Sequence, residues 1–212
     1  MMHKIIEDLN WRYATKKFDS SKKISSSDIE VIKESLRLTA SSYGLQPNHF
    51  LIVENVSLRE QLVPASYGQK QVLDASHLIV ICAYNDLTDG HVDAYVETII
   101  STRNSDPDRV KNYGNFIKKT FAEMSIEDKL NWASKQAYIV LGQLLHTCAT
   151  LRIDATPMEG FIPKRYSEIL ELKEKNLTPI LVCPIGYRHA EDETQHFTKV
   201  RKDQNDLFDI IK

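Results

Sequence analysis

The chain has 212 residues, 42% hydrophobic and 26% charged, with a formal charge of −2 at neutral pH. That size suits one globular domain with a sizeable core, and the near-neutral balance gives no electrostatic case for nucleic acid or an anionic membrane. Cys82, Cys148 and Cys183 all lie in apolar runs without a C-x-x-C pair, so they read as small buried hydrophobes in a reducing compartment, with no disulfide or metal expected.

The opening MMHKIIEDLNW has no apolar signal stretch, and a cytoplasmic location is expected. Ile5, Ile6, Leu9 and Trp11 alternate with charges and predict a short amphipathic helix over residues 3–13. Three cations, Arg12, Lys16 and Lys17, then fall close to Phe18. Ser27-Asp28-Ile29-Glu30 reads as a capping box, and Ile29, Ile32 and Leu36 follow at helical spacing, so a helix is expected over about 28–39. Gly44 and Pro47 make the stretch Ser41 to Pro47 a polar loop.

His49 to Val53 reads as a short strand, and the nearly continuous apolar run His77 to Ala83 reads as a strand buried on both faces. Between them Ser57-x-x-Glu60 predicts a cap for a short helix through Val63, with another helix starting near Gln69. The stretch from Asp89 to Met124 is helical in pattern but polar, broken at Asp106-Pro107, and reads as an exposed excursion from the core.

From Ala137 to Leu151 the apolar residues spread around the whole circumference, which predicts a central core helix with protein on every side. In the longer segment that begins at Trp132, Lys135, Gln136, Gln143, His146 and Arg152 interrupt the apolar run and argue against a bilayer span. A turn follows, Asp154 to Phe161, in which Pro157 fixes its own φ and Gly160 allows a close backbone approach. Pro179 to Tyr187 forms a last strand before a polar C-terminal arm, so the order of elements predicts an α+β fold with a sheet flanked by helices.

The chain has no G-x-G-x-x-G after a strand, P-loop, H-E-x-x-H or G-x-S-x-G. What remains is a set of cations at the two ends, Arg12 and Lys16 against Lys199 and Arg201, and Arg suits phosphate because its planar fork gives bidentate contacts. Composition alone does not bring these ends together.

Six short motifs in collinear order resemble the nitroreductase family. They are Arg12-x-x-Thr15-Lys16-x-Phe18-Asp19, Ala40-Ser41-Ser42-x-Gly44-x-Gln46-Pro47, Leu73-Asp74-Ala75-Ser76-His77, Ala155-Thr156-Pro157-Met158-Glu159-Gly160-Phe161, Pro184-x-Gly186 and Lys199-x-Arg201. The chain is most similar to the oxygen-insensitive NAD(P)H nitroreductases and dihydropteridine reductases of that family.

The resemblance implies a single domain over 1–212 with a central mixed or antiparallel sheet, a helical flap at about 89–125, and a C-terminal arm, about 190–212, laid on the partner of a domain-exchanged homodimer. It implies FMN between subunits, with Arg12, Lys199 and Arg201 on the phosphate and Tyr13 and Ala14 along the ribityl path. Lys16 would stand at the pyrimidine edge, and Pro157, Met158, Glu159 and Gly160 beside the ring, Lys16 and Glu159 tuning the flavin. Gln69 and Gln71 would flank the same cofactor. Ala40, Ser41, Ser42 and Gly44 would come from the other subunit, with Tyr43 and Phe121 over the substrate channel.

The implied activity carries hydride from NAD(P)H through FMN to a nitroaromatic, quinone or similar acceptor by a ping-pong cycle, with no obligatory side-chain acid or base. A flavin-binding or storage protein, or a relative acting on flavin itself or on a conjugated enone, stays open. Three positions depart from the family pattern: glycine stands at 44 where asparagine is frequent, and Gly68 and Gln71 stand where the most similar relatives carry asparagine and lysine.

Overall fold

The structure, a computed structural model, describes residues 3–212. Its elements in order are α1 (Lys4–Trp11), α2 (Ser26–Arg37), β1 (Asn48–Val53), α3 (Val56–Leu62), α4 (Gln71–Asp74), β2 (His77–Tyr84), α5 (Asp89–Arg103), α6 (Pro107–Ala122), α7 (Ile126–Thr150), β3 (Asp154–Ala155), α8 (Pro163–Ile169) and β4 (Leu177–Gly186). The four strands form one antiparallel sheet in the order β1-β2-β4-β3.

β2 lies in the middle because its side chains are apolar on both faces. Ile79 and Ile81 point to one side, where they pack with Ile32, Leu36, Leu144 and Cys148 of α2 and α7. Leu78, Val80 and Cys82 point to the other, against Leu62 of α3 and Tyr166 of α8. The sheet is thus sandwiched between helices, as the α+β expectation requires, and all three cysteines are free and buried.

Four readings of the sequence need correction. Helix α2 is capped by Ser25, whose hydroxyl accepts from the Asp28 N–H at 3.1 Å, and Ser27 lies inside the helix. The cap of α3 is Asn55, which accepts from the Leu58 N–H at 3.0 Å, and Ser57 is already helical. In both cases a rival polar residue two positions earlier offers the same local bond, and spacing alone does not separate them.

The third correction is the turn at Asp154, whose first two residues form β3 on the edge of β4. The fourth is the excursion, which has its own apolar core of Val92, Val96, Ile99, Val110, Ile117 and Phe121 between α5 and α6. Gly114 permits that close crossing, since a Cβ there would lie 2.6 Å from a Val96 methyl.

Helix α7 runs for 25 residues from an N-cap at Ser125. Ala133, Ala137, Val140, Leu141 and Leu144 are buried, yet Tyr138 and Ile139 are 46% and 49% exposed, so one apolar strip of the helix lacks a neighbour in its own chain. The same holds for Ile5, Ile6 and Leu9 of α1, whose buried residue is instead Asp8. No helix among the described residues is long and apolar enough to cross a membrane.

Candidate active site

The segment after α1 is built into the sheet's edge by hydrogen bonds from far along the chain. Phe18 bridges to Arg188, the Asp19 N–H donates to the Tyr187 carbonyl at 2.8 Å, and the His189 N–H donates to the Lys17 carbonyl at 2.9 Å. Thr156 adds its hydroxyl to the Thr15 carbonyl at 2.7 Å. Residues 12–19 therefore run beside both the end of β4 and the turn after β3.

Two buried carboxylates fasten this arrangement. Asp154, 3% exposed, accepts the Arg188 backbone N–H at 2.8 Å and the Arg188 guanidinium at 2.6 and 2.9 Å. That guanidinium lies over the rings of Trp11 and Tyr13, 4.3 and 4.6 Å from their centroids. Asp192, 2% exposed, accepts the N–H groups of Lys16 and Lys17 and the Tyr13 hydroxyl on one oxygen, at 2.8, 3.1 and 3.0 Å. Burial pushes the Asp192 carboxyl up, but those amides and the phenol pull harder and hold it below the usual carboxylate range.

The same fastening brings the two ends of the chain together. Lys199 donates from Nζ to the carbonyls of Leu9 and Arg12, the former at 2.7 Å. Burial lowers the pKa of Arg12, and the Arg201 charge acts in the same direction. Lys199 is likewise lowered, first by burial and then by Arg12 and Arg201. Among the described residues no carboxylate lies within 4.0 Å of these three cations, and the buried Arg12 Nε has no hydrogen-bond partner.

The loop after β3 starts beside residues 12–19, where Thr156 meets Thr15. Met158 pairs with Val182, and the Gln69 side-chain amide donates to the Gly160 carbonyl at 2.8 Å and the Ser66 carbonyl at 3.0 Å. Exposed Glu159 accepts from the Tyr138 hydroxyl at 2.7 Å, which raises the phenol's pKa. Pro157 is half-buried, as is Gln71 in the first turn of α4. Lys16 is exposed and unpaired among the described residues, whereas Lys17 is paired with Glu191. Direct bonds thus join Lys199 to Arg12, Thr156 just before Pro157 to Thr15 just before Lys16, and Gln69 to Gly160.

Ala40, Ser41, Ser42, Tyr43, Gly44 and Phe121 are not joined to them by such bonds. The Ser42 N–H donates at 2.9 Å to buried Gln136 of α7, and the Gln46 N–H donates to the Ser41 hydroxyl at 2.9 Å. Gln136 and Tyr138 are two positions apart on α7, about 200° around a helix, so loops 40–46 and 157–160 are tied to nearly opposite faces of it. Tyr43 takes a positive φ of 57° and packs with Phe121 and Trp132, at 6.1 and 6.2 Å between ring centroids. Phe121 is only 3% exposed.

Residues 9–187 match the family model described as the Nitroreductase family. The chain belongs to the nitroreductase family. It is 32% identical to the major NAD(P)H-flavin oxidoreductase of Aliivibrio fischeri, with 100% of each chain covered. It is 31% identical to the oxygen-insensitive NAD(P)H nitroreductase of Salmonella typhimurium, over 90% of this chain and 91% of that one. In fold it matches a protein of Exiguobacterium sibiricum, assigned as a nitroreductase and solved in complex with FMN, with TM-score 0.84, 19% identity, and 100% and 99% of the two chains covered.

Sequence reasoning missed Asp154, Arg188, Asp192 and Tyr138 in this nitroreductase. The one available signal was an acid at the end of a long apolar stretch, Asp154, where an unpaired charge is costly and a partner must exist. Replacing Asp154 with alanine should destabilise the protein by about 3–5 kcal/mol, because it leaves the half-buried Arg188 guanidinium without its partner. Urea denaturation measures this, and a loss below about 1 kcal/mol would show that solvent replaces the pair.

Proposed function

We propose that this protein is an FMN-dependent oxidoreductase that draws reducing equivalents from NAD(P)H and delivers them to a nitroaromatic, quinone or related acceptor in a ping-pong cycle. The observation that carries this reading is the cluster of Arg12, Lys199 and Arg201, which has a buried, unpartnered Nε and no carboxylate. Cations gathered in partly desolvated surroundings repel one another, and an anion relieves both the repulsion and the orphaned donor. A phosphate monoester fits that need, and a guanidinium fork can meet it with two parallel bonds.

Bound FMN supplies the two-electron exchange between nicotinamide and acceptor. The residues do the rest. Arg12, Lys199 and Arg201 hold the phosphate, and Tyr13 and Ala14 line the path from it. Lys16 presents a preorganised cation to the pyrimidine edge, where negative charge grows on reduction. Pro157, Met158, Glu159 and Gly160 form one wall with Gln69 and Gln71 beside it, and Gln69 fixes its shape through the Gly160 carbonyl.

Loop 40–44, Tyr43 and Phe121 complete the site of a second subunit. The support is α7, to which loops 40–46 and 157–160 are tied on nearly opposite faces within one chain. Exposed Ile5, Ile6, Leu9, Tyr138 and Ile139, and the arm residues Phe197, Val200, Phe208, Ile210 and Ile211, offer apolar surface for an exchanged homodimer. The free buried cysteines suit a cytoplasmic setting.

Purified protein should bind about one FMN per subunit, and Arg201→Ala should weaken that binding by ~1.5–3 kcal/mol, the usual worth of a hydrogen bond to a charged group. Fluorescence titration of apoprotein with FMN tests both, and a folded wild type that does not bind FMN sinks the reading. Sedimentation at nanomolar concentration should show a dimer. A monomer that binds FMN tightly would refute the shared site.

Gln71→Lys should raise the flavin midpoint potential. Two unit charges about 4 Å apart interact by ~4 kcal/mol at an effective dielectric near 20, and solvent cuts this to about 1 kcal/mol. At about 30 mV per 1.4 kcal/mol for a two-electron couple, the rise is ~20 mV. A dye-referenced redox titration that gives an unchanged or lower midpoint rules out position 71 as a tuning site.

A further inference from the structure

Asp192 makes bonds unlike those of the other buried acids. Asp8 and Asp154 each have a cation within 4.0 Å, whereas no Lys, Arg or His side-chain nitrogen among the described residues comes that close to Asp192. Its partners are the N–H groups of Lys16, Lys17 and Thr194 and the Tyr13 hydroxyl. Successive backbone N–H groups converging on one oxygen form a concave anion nest, so the carboxylate is held by dipoles of the chain it shapes.

That nest fixes the backbone from which Lys16 projects. With both amides directed at one Asp192 oxygen, the backbone cannot run straight, and it bends at Lys16 and Lys17 before entering the bridge at Phe18. The Lys17 side chain is tied to Glu191, one residue before the same acid, and the Thr15 side chain is turned inward to Asp154. Lys16 alone of the three leaves the bend exposed and unpaired. Asp192 also precedes Lys199 and Arg201 on the same strap, so one side chain sets both the bend and the start of the arm.

We propose that Asp192 is a positioning residue that holds the Lys16 cation at the pyrimidine edge of the flavin. This rests on the FMN reading and on the Lys16 role within it. Asp192 acts through the backbone and does not touch the cofactor. Its own charge opposes the effect it produces: a nearby anion disfavours the reduced, negatively charged flavin, while the lysine it aims favours it.

The sign of one measurement therefore separates aiming from direct electrostatics. Asp192→Ala removes an anion, which by Coulomb's law alone would raise the midpoint potential of the bound flavin. Loss of the bend should instead lower it. The expected result is a fall of about 30 mV, equivalent to a tenfold poorer preference for reduced over oxidised flavin. In a Lys16→Ala background the same substitution should produce no further fall.

A rise, an unchanged midpoint with a lower Tm, or an equal fall in both backgrounds each overturns the positioning role. Asp192→Asn keeps the volume and one acceptor oxygen, so a smaller fall is expected there even if the alanine variant does not fold; a wild-type midpoint in Asp192→Asn also overturns it. Lys16→Ala alone must lower the midpoint. If it does not, the Lys16 reading fails along with Asp192, whereas a fall in Lys16→Ala and none in Asp192→Ala condemns Asp192 only. Wild type that binds no FMN overturns the whole reading.

Discussion

The site depends on the polar attachment of residues 12–19 to the chain that follows β4. Hydrophobic burial alone does not fix that segment: Phe18 is 3% exposed, but Ile5, Ile6 and Leu9 of the preceding helix are nearly half exposed. Two buried carboxylates add to it. A hydrogen bond to a charged group contributes about 1.5–3 kcal/mol, and Asp154 and Asp192 each accept several. Their desolvation offsets much of that sum, so the gain is largely in specificity: an amide shifted by one residue would leave a buried charge unsatisfied. The cations Arg12, Lys199 and Arg201 are neighbours because this register is enforced.

Helix α7 imposes the second constraint. It covers the sheet with one face, receives loop 40–46 through Gln136 on another, and meets Glu159 through Tyr138 on a third. A helix about 10–12 Å thick stands between the two groups of expected cofactor contacts. In the proposed homodimer, two chains related by symmetry close one pocket around both groups. The apolar strip at Tyr138 and Ile139 is left exposed within the chain, and the proposed homodimer would cover it.

The elements driven by local pattern were legible in the sequence. The run from His77 to Ala83 is continuous because both faces of β2 are covered, and Asp106-Pro107 ended one helix and began another for backbone reasons that need no tertiary context. Caps were less legible, since Ser25 and Ser27, or Asn55 and Ser57, are equivalent until the chain's entry direction is known. The site was least legible. Lys16 and Asp192 are 176 positions apart, Thr15 and Asp154 139, and no periodicity links them. Resemblance supplied the expected cofactor contacts but not Asp154 or Asp192, whose partners Arg188, Lys16 and Lys17 lie far away along the chain.

Gly44 shows how a departure at one position is absorbed at another. Its φ is +77°, and a Cβ there would lie 2.3 Å from the Tyr95 hydroxyl oxygen of α5. A side chain at 44 would therefore meet backbone strain and a clash at once. A Cβ at 44 and the Tyr95 hydroxyl cannot both keep these positions, so the space beside the loop is filled from α5 instead of from the loop itself. Tyr43, its neighbour, is already packed against Phe121 at the end of α6 and Trp132 of α7. Loop and flap are thereby coupled through two adjacent residues, one by a ring cluster and one by an absent Cβ. A displacement of α5 that carried Tyr95 away would open a gap at Gly44 that no local side chain can fill. The loop's shape thus depends on the flap remaining in place, and the second half of the proposed site is shaped by both together.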